Sequence, residues 1–259
     1  MRHLSVILLL TLGCLVPLYA PAQVPESVAA LQADAEAGDA DAQARLGWAF
    51  FTGEGAPQDY ALAAQWYRMA AEQGNAEAQY MLGEMYSVPL GVEQDDAAAL
   101  DWYRKAGEQN HEQAQLHLAW MYTQGKGVAQ DLERGAAWYQ RAADAGSIEG
   151  ALQLGRAYLS GRGVAKDEAR ALELFQYGAD RGNPDCEVTV AWMLSKGMGA
   201  EKDLITAYMW STLALNASEG AGYFIEIIGK ELTPEQIAEA EQRAAAWEPI
   251  AAGNEAGQP

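Results

Sequence analysis

Cysteine, histidine and basic residues are scarce in this chain. Its 259 residues include 2 Cys and 3 His, and 17 Lys plus Arg stand against 36 Asp plus Glu, for a formal net charge of −19. Two cysteines cannot form a disulfide framework or a Cys-rich zinc site. A surface this acidic repels phosphate backbones and anionic headgroups. The composition therefore predicts no nucleic-acid partner and favours a basic one.

Long apolar runs are absent beyond the N-terminus. Residues 1–22 have a positive start at Arg2, an apolar run over residues 4–16, and the small residues Ala20 and Ala22 at their end. This combination is typical of a bacterial Sec signal peptide. We therefore expect a periplasmic or secreted protein.

A lipid anchor is the alternative at the N-terminus. Residues 10–14 loosely resemble a bacterial lipobox, which would leave a lipid on Cys14. No stretch after the signal peptide reaches the roughly 20 apolar residues that span a bilayer. The sequence thus predicts no transmembrane helix in the mature chain.

A period of 36 residues organises the rest of the chain. The pair Trp66-Tyr67 recurs at this step without insertion, as Trp102-Tyr103, Trp138-Tyr139, Leu174-Phe175 and Trp210-Ser211. Aspartate recurs at the same step, as Asp59, Asp95, Asp131, Asp167 and Asp203. A fixed period of this length, with helix-compatible spacing inside it, indicates a solenoid of helix pairs.

Each unit contains the start and stop signals of two helices. The first helix is expected to end at paired glycines such as Gly53 and Gly55, which permit positive φ and a tight reversal. The second unit has Pro89-Leu90-Gly91 instead, so its turn should differ. The recurring aspartates are expected to cap the second helices. These helices should end at Gly74 and its equivalents Asn110, Gly146, Gly182 and Ser218.

The third unit shows the full repeat pattern. It reads Ala114, Leu118-Ala119, Tyr122, Gly125-Lys126-Gly127-Val128, Asp131, Ala137, Trp138-Tyr139, Ala142-Ala143 and Gly146. This pattern resembles the Sel-1-like repeat family, a tetratricopeptide-related group of helix-turn-helix solenoids, over residues 42–221. The expected fold is all-α: a right-handed α-α superhelical solenoid of five 36-residue helix-turn-helix repeats with capping helices at both ends.

The predicted organisation is a series of consecutive segments. A signal peptide at residues 1–22 precedes an N-terminal capping half-repeat at 23–41. The five repeats are expected at 42–77, 78–113, 114–149, 150–185 and 186–221. C-terminal capping helices at 222–250 and a disordered tail at 251–259 complete the chain.

No catalytic residue, metal site or cofactor is predicted. His111 and His117 lie six residues apart, about 120° from a common helix face, which disfavours a shared metal. Cys186 is expected to be a small buried residue in a first helix. Some cysteine-rich members of the resembled family are described as penicillin-binding or β-lactam-hydrolysing proteins. They carry paired cysteines in each unit, which this chain lacks, and their activity is kept as the alternative function.

The first helices offer a candidate binding surface. In stacked helix pairs they are expected to line the concave wall. One stripe of side chains per unit should then lie on this wall without packing against a neighbouring helix. A desolvated Trp or Arg is a usual anchor of a recognition surface. Steps of 36 residues along two stripe positions give the predicted partner-binding residues Arg45, Trp48, Met81, Glu84, His117, Trp120, Gln153, Arg156 and Trp192.

A structural role is the alternative for the tryptophans Trp48, Trp120 and Trp192. They would then fill gaps between units, as we expect of Trp66, Trp102, Trp138 and Trp210. The function that the sequence favours is a non-enzymatic scaffold or adaptor of the bacterial cell envelope. Its expected ligand along the concave face is another protein, an extended peptide or an envelope polymer.

Overall fold

The computed structural model describes residues 28–217 and 219–250, which contain helices and turns and no strand. The helices are α1 (Val28–Glu36), α2 (Ala40–Thr52), α3 (Tyr60–Glu72), α4 (Ala76–Ser87), α5 (Asp96–Glu108), α6 (Glu112–Gln124), α7 (Leu132–Asp144), α8 (Ile148–Ser160), α9 (Glu168–Ala179), α10 (Pro184–Lys196), α11 (Leu204–Leu213), α12 (Glu219–Gly229) and α13 (Pro234–Ala246), with a 3₁₀ turn at Ala214–Asn216. None of the helices in these ranges has the length and apolarity to cross a membrane. The predicted signal peptide, Cys14, Ser218 and the predicted tail lie outside the described residues.

Five helix hairpins follow one another along the chain. Helices α2 to α11 form them in consecutive pairs, and the second helix of each hairpin also packs on the first helix of the next. Contacts therefore join neighbours in sequence, as in a one-dimensional solenoid. Helix α1 packs on α2 at one end, and α12 and α13 pack on α11 at the other. The predicted all-α solenoid of five helix-turn-helix repeats with capping helices at both ends is confirmed.

Both helices of every unit start at a side-chain cap. The predicted caps of the second helices are confirmed, since a backbone N–H of the next turn donates to each of Asp59, Asp95, Asp131, Asp167 and Asp203. The first helices have caps that the aspartate pattern does not reveal, at Asp39, Asn75, His111, Ser147 and Asn183. Each cap satisfies a donor left open at a helix N-terminus.

The glycine turns join neighbouring units. Gly53 ends α2 in the left-handed conformation, as predicted, and the third, fourth and fifth units repeat this. In the second unit α4 ends at Val88 in an extended conformation, which confirms the expected local difference. The second glycine is retained there, because a Cβ on Gly91 would lie 2.2 Å from the backbone of Tyr60 in the preceding unit. The same close approach recurs at Gly127, Gly163 and Gly199.

Aromatic side chains of the second helices occupy the space between units. The fully buried rings are Tyr67, Tyr103 and Phe175. The preceding tryptophans are expected to fill these gaps. Trp210 is buried, and the half-buried Trp66, Trp102 and Trp138 pack against the core clusters that join neighbouring units, in agreement with this expectation. Because adjacent helix positions point about 100° apart, these three tryptophans lie at the edge of the core. Lys105 Nζ, for example, lies 3.6 Å from the centre of the Trp102 ring.

Cys186 is the single cysteine of the described residues, and it packs against a glycine. Cys186 is buried and free, as predicted, and burial raises the pKa of its thiol to about 12. It faces Gly178, where a Cβ would lie 2.4 Å from the Cys186 Sγ. The equivalent positions hold two alanines at the first two junctions, Ala70 with Ala78 and Ala106 with Ala114, and Ala142 with Gly150 at the third. The larger thiol therefore fits because the opposing helix lacks a methyl group.

Candidate functional site

The predicted binding residues lie on the first helices but differ in exposure. Trp48 and Met81 are buried, at 8% and 7% exposure, and pack between units. Arg156 is exposed, and the remaining residues are half-buried, namely Arg45, Glu84, His117, Trp120, Gln153 and Trp192. We call the surface formed by α2, α4, α6, α8 and α10 the first-helix face. The boundary between two successive units is called a junction.

The second–third junction is closed by three polar side chains. The Tyr103 hydroxyl donates a hydrogen bond to Glu84 Oε1, and His117 Nε2 lies 3.3 Å from the same oxygen. The rings of Tyr103 and His117 stack with their centroids 4.9 Å apart. Burial raises the pKa of Tyr103 and lowers the pKa of His117, although the Glu84 carboxylate opposes the second shift. The tyrosine hydroxyl therefore stays protonated as a donor to Glu84.

Two histidines contact one tyrosine beside this junction. The Tyr80 ring lies 4.6 Å from the His111 ring and 5.8 Å from the His117 ring, centroid to centroid. His111 Nδ1 accepts from the N–H of Ala114, and its Nε2 lies 3.1 Å from Glu77 Oε2. Both ring nitrogens of His111 are thus engaged in capping and packing. Over the described ranges, no group of three or more His, Cys, Asp or Glu is placed to hold a metal ion.

The third–fourth junction holds an open pocket at the equivalent place. A step of 36 residues leads from Glu84, Tyr103 and His117 to Trp120, Tyr139 and Gln153. These three residues line a cavity of about 360 Å³ formed by α6, α7, α8 and the turn after α8. A cavity of this size lies in the range of ligand sites in proteins. The polar side chains of its lining include Thr123, Gln124, Gln153, Ser160, Arg156 and Arg162.

Two replacements remove the contacts that close the second–third junction. Trp120 has no carboxylate, so it cannot accept the hydrogen bond that Glu84 takes from a tyrosine. Gln153 donates to Glu149 Oε1 at 2.7 Å, one turn earlier on its own helix. Its equivalent His117 contacts the neighbouring unit instead. The side chains of α6 and α8 therefore leave a space between them on the first-helix face.

The pocket is positively charged although the chain as a whole is acidic. Arg156 and Arg162 line it, and its lining contains no Asp or Glu. Neither guanidinium forms an ion pair or a side-chain hydrogen bond with any described residue. Lys126 adds a third positive charge nearby, with its Nζ 5.5 Å from the Trp120 ring centre and 3.3 Å from Asp96 Oδ1.

A row of glutamine contacts within and between units ends in the third unit. Three buried glutamines each donate to a backbone carbonyl eight residues earlier at 3.0 Å, namely Gln43, Gln79 and Gln115. Gln109 of the second unit donates to Gln79 at 2.8 Å, and the preceding pair is equivalent. The next donor position holds Ala145, and Gln115 Oε1 is buried without a hydrogen-bond partner among the described residues.

A second row, between helix caps and the preceding unit, ends at the third–fourth junction. The cap His111 contacts Glu77 at 3.1 Å, and the preceding cap forms an equivalent bond. The next pair is Ser147 and Gln113. Ser147 caps α8, while Gln113 Oε1 is buried and has no partner in the part of the chain that the structure describes. Buried polar atoms are nearly always paired in native proteins, so the unpaired oxygens of Gln113 and Gln115 are unusual, as is the unpaired Tyr67 hydroxyl between the first two units.

Three of the predicted partner-binding residues lie in this pocket. The 36-residue steps select Trp120, Gln153 and Arg156, and the structure brings these three side chains together. Tyr139 was missed because it lies on a second helix, although its equivalence to Tyr103 is a usable signal. Arg162 was missed as well, since it lies in a glycine turn and no periodic pattern selects it.

Comparison with known proteins covers most of the chain. The family model of the Sel1 repeat matches residues 40–75, 76–111, 112–147, 148–183 and 185–218. The Sel1 repeat protein from Oxalobacter formigenes is 30% identical over 85% of this chain and 93% of its own, with a TM-score of 0.72. Comparison with the curated proteins found no match.

A second solved structure is longer than this chain. The protein c5321, described as a protective antigen of uropathogenic Escherichia coli strains displaying an SLR fold, is 30% identical over 85% of this chain, with a TM-score of 0.72. The match covers 48% of c5321, so this chain spans about half of its length. Five matched repeats account for well over half of the chain and coincide with its five helix hairpins. The chain therefore belongs to the Sel1 repeat family.

Proposed function

We propose that this chain is a non-enzymatic scaffold that binds an extended segment of a partner protein on its first-helix face, anchored at the third–fourth junction. Sel1 repeat proteins are generally scaffolds for protein interactions. The predicted signal peptide at residues 1–22 supports a place in the bacterial cell envelope.

The pocket shared by Trp120, Gln153 and Arg156 carries this proposal. Tryptophan and arginine are enriched at the positions that dominate binding energy in protein interfaces. Helix α6 also borders the closed second–third junction, whose packed surface offers support for the residues that flank an anchored side chain. An extended segment would therefore bind along several first helices and insert one side chain into the pocket.

The charge of the remaining surface favours a basic partner. Acidic residues outnumber basic ones by 36 to 17 in the chain. Such a field steers a positively charged partner towards the protein, and association slows when added salt shortens the Debye length below about 10 Å.

A penicillin-binding or β-lactam-hydrolysing activity has no structural observation in its favour. Cys186 is the one cysteine in the described ranges, and it is buried with a thiol pKa of about 12. A thiol with this pKa supplies almost no thiolate at neutral pH. Turnover of nitrocefin by the purified protein would favour this activity over the scaffold.

Photocrosslinking from single positions tests the scaffold proposal. A photoreactive amino acid replaces Gln153 on the first-helix face in one variant. It replaces Gln140, which donates at 2.7 Å to Asp144 on its own second helix, in the matched control. In cells that express the chain we expect a crosslinked partner protein from position 153, and its loss when Trp120→Ala is added. Equal crosslinking from both positions, or a product insensitive to Trp120→Ala, would contradict the proposal.

A further inference from the structure

We infer that the pocket of the third–fourth junction takes a carboxylate of the partner, held by Arg156 and Arg162, with an apolar side chain against Trp120. This inference rests on the proposed function, because the carboxylate belongs to the bound segment. The anchoring group is therefore negatively charged, although the acidic surface favours a partner whose net charge is positive.

The first support is the state of the two arginines. Four other arginines pair with an acid three or four residues away, namely Arg104, Arg134, Arg170 and Arg243. Arg156 and Arg162 are exposed, line one cavity, and have no such partner among the described residues. A guanidinium binds a carboxylate through paired N–H groups in a fixed geometry. Two of them in one pocket therefore form a site for an anionic group.

The second support is the composition of the pocket wall. Its apolar part includes Trp120, Leu132 and Tyr139, and no acidic residue lines it. Glu149 is the acid hydrogen-bonded to the lining residue Gln153. It lies one turn before Gln153 on α8 and already accepts from it at 2.7 Å. The ligand that fits both parts is a carboxylate next to an apolar or aromatic side chain. Such a group is either a chain-terminal carboxylate or an Asp or Glu side chain.

Three short peptides distinguish these sources and test the inference. The probes are acetylated Gly-Leu-Phe with a free terminal carboxylate, the same peptide as its terminal amide, and acetylated Leu-Glu-Phe amide. Binding to the full chain is followed by the NMR shift of the Trp120 indole N–H, assigned with a Trp120→Phe variant. The pocket variants are Arg156→Gln and Arg162→Gln. Arg170→Gln, which makes the same charge change on α9, is the matched control.

We expect at least one carboxylate peptide to bind about tenfold more tightly than the amide without a carboxylate, since a charge-assisted hydrogen bond supplies that much discrimination. The preference should disappear in both pocket variants and persist in Arg170→Gln. A preference for the free terminus identifies a chain end as the source, and a preference for the Glu peptide identifies a side chain.

Equal affinity for all three peptides would overturn the inference and leave the proposed function intact. A preference that survives in both pocket variants would overturn it as well, because the arginines would then not hold the carboxylate. The inference would also be overturned if none of the three peptides shifted the Trp120 indole N–H signal. The crosslink from position 153 decides the proposed function independently of these outcomes.

Discussion

The second–third and third–fourth junctions share one backbone framework and differ in what lies between their units. At the former, Glu84, Tyr103 and His117 fill the space with hydrogen bonds and a stacked ring pair. At the latter, the equivalent side chains line a cavity of about 360 Å³, and the buried amide oxygen of Gln113 lacks a partner in the described ranges.

This difference shows how a repeat protein separates folding from recognition. The caps and the second glycine of each turn recur because every hairpin needs them. The stripe between first helices can vary without disturbing a hairpin, since each unit contacts only its neighbours. Polar contacts are therefore given up at one junction, and an open pocket takes their place.

Truncation of the central tyrosine is expected to separate the two junctions most strongly. Tyr103 is 1% exposed, whereas Tyr139 is half-buried beside the pocket. We expect Tyr103→Ala to lower the free energy of unfolding by about 3 to 5 kcal/mol, because a buried ring is lost and Glu84 loses a donor. Tyr139→Ala should cost about 1 kcal/mol. Urea unfolding measures both, and equal losses would refute the contrast between closed and open junctions.

The row of buried glutamines extends the comparison to the fifth unit, where Glu187 replaces them. Burial raises the pKa of Glu187 from 4.5 to about 7. The unfolded carboxyl titrates near its ordinary value, so stability is full below pH 4.5, falls as the pH rises to 7, and stays at the lower level above. Glu187→Gln removes the charge and should raise the unfolding free energy above pH 7 by roughly 2 to 3 kcal/mol. A gain of the same size below pH 4.5 would show that the cause is not ionisation.

The packing of Gly178 against Cys186 at the fourth–fifth junction can be tested by substitution. Gly178→Ala places a methyl group against the Cys186 thiol and should cost about 2 kcal/mol through overpacking. Adding Cys186→Ala recreates the alanine pair found at the first two junctions, so the double variant should be more stable than Gly178→Ala alone. Thermal unfolding of the single and double variants completes a mutant cycle. Additive losses would mean that the two residues do not compensate each other.

Restoring one missing donor should make the third unit resemble the first two. Ala145→Gln introduces the residue that donates to a buried glutamine in each of the two preceding units. With Gln115 Oε1 satisfied, we expect a gain of about 0.5 to 1 kcal/mol in unfolding free energy. Ala145→Glu is the matched control, because its carboxylate has the same length and cannot donate. Stabilisation by the control as well would point to helix propensity instead.

The sequence predicts the framework well because the framework depends on local backbone requirements. The five hairpins, the aspartate caps and the glycine turns all follow from residues whose role is set by positions nearby in the chain. His111 as a cap was not predicted, since caps are usually Ser, Thr, Asp or Asn.

The pocket was harder to predict because it depends on contacts between units. Trp48 and Trp120 are equivalent in sequence, yet the first is buried and the second lines the pocket. Phe51 stacks on Trp48 with ring centroids 6.2 Å apart, and its equivalent beside Trp120 is Thr123. Gln153 bonds within its own helix, a choice that periodicity does not reveal.

Closing the pocket while keeping the fold tests most directly whether the third–fourth junction is the binding site. The double variant Trp120→Glu with Gln153→His transfers the closed arrangement of the second–third junction, with Tyr139 already in place. Calorimetry compares its affinity for the crosslinked partner with that of the control Trp192→Glu with Thr189→His, which makes similar changes outside the pocket. We predict an unchanged melting temperature for the pocket variant and a loss of affinity at least about tenfold larger than that of the control, whose α10 changes remove at most a contact away from the anchoring pocket. Unchanged affinity in a folded pocket variant would contradict the account.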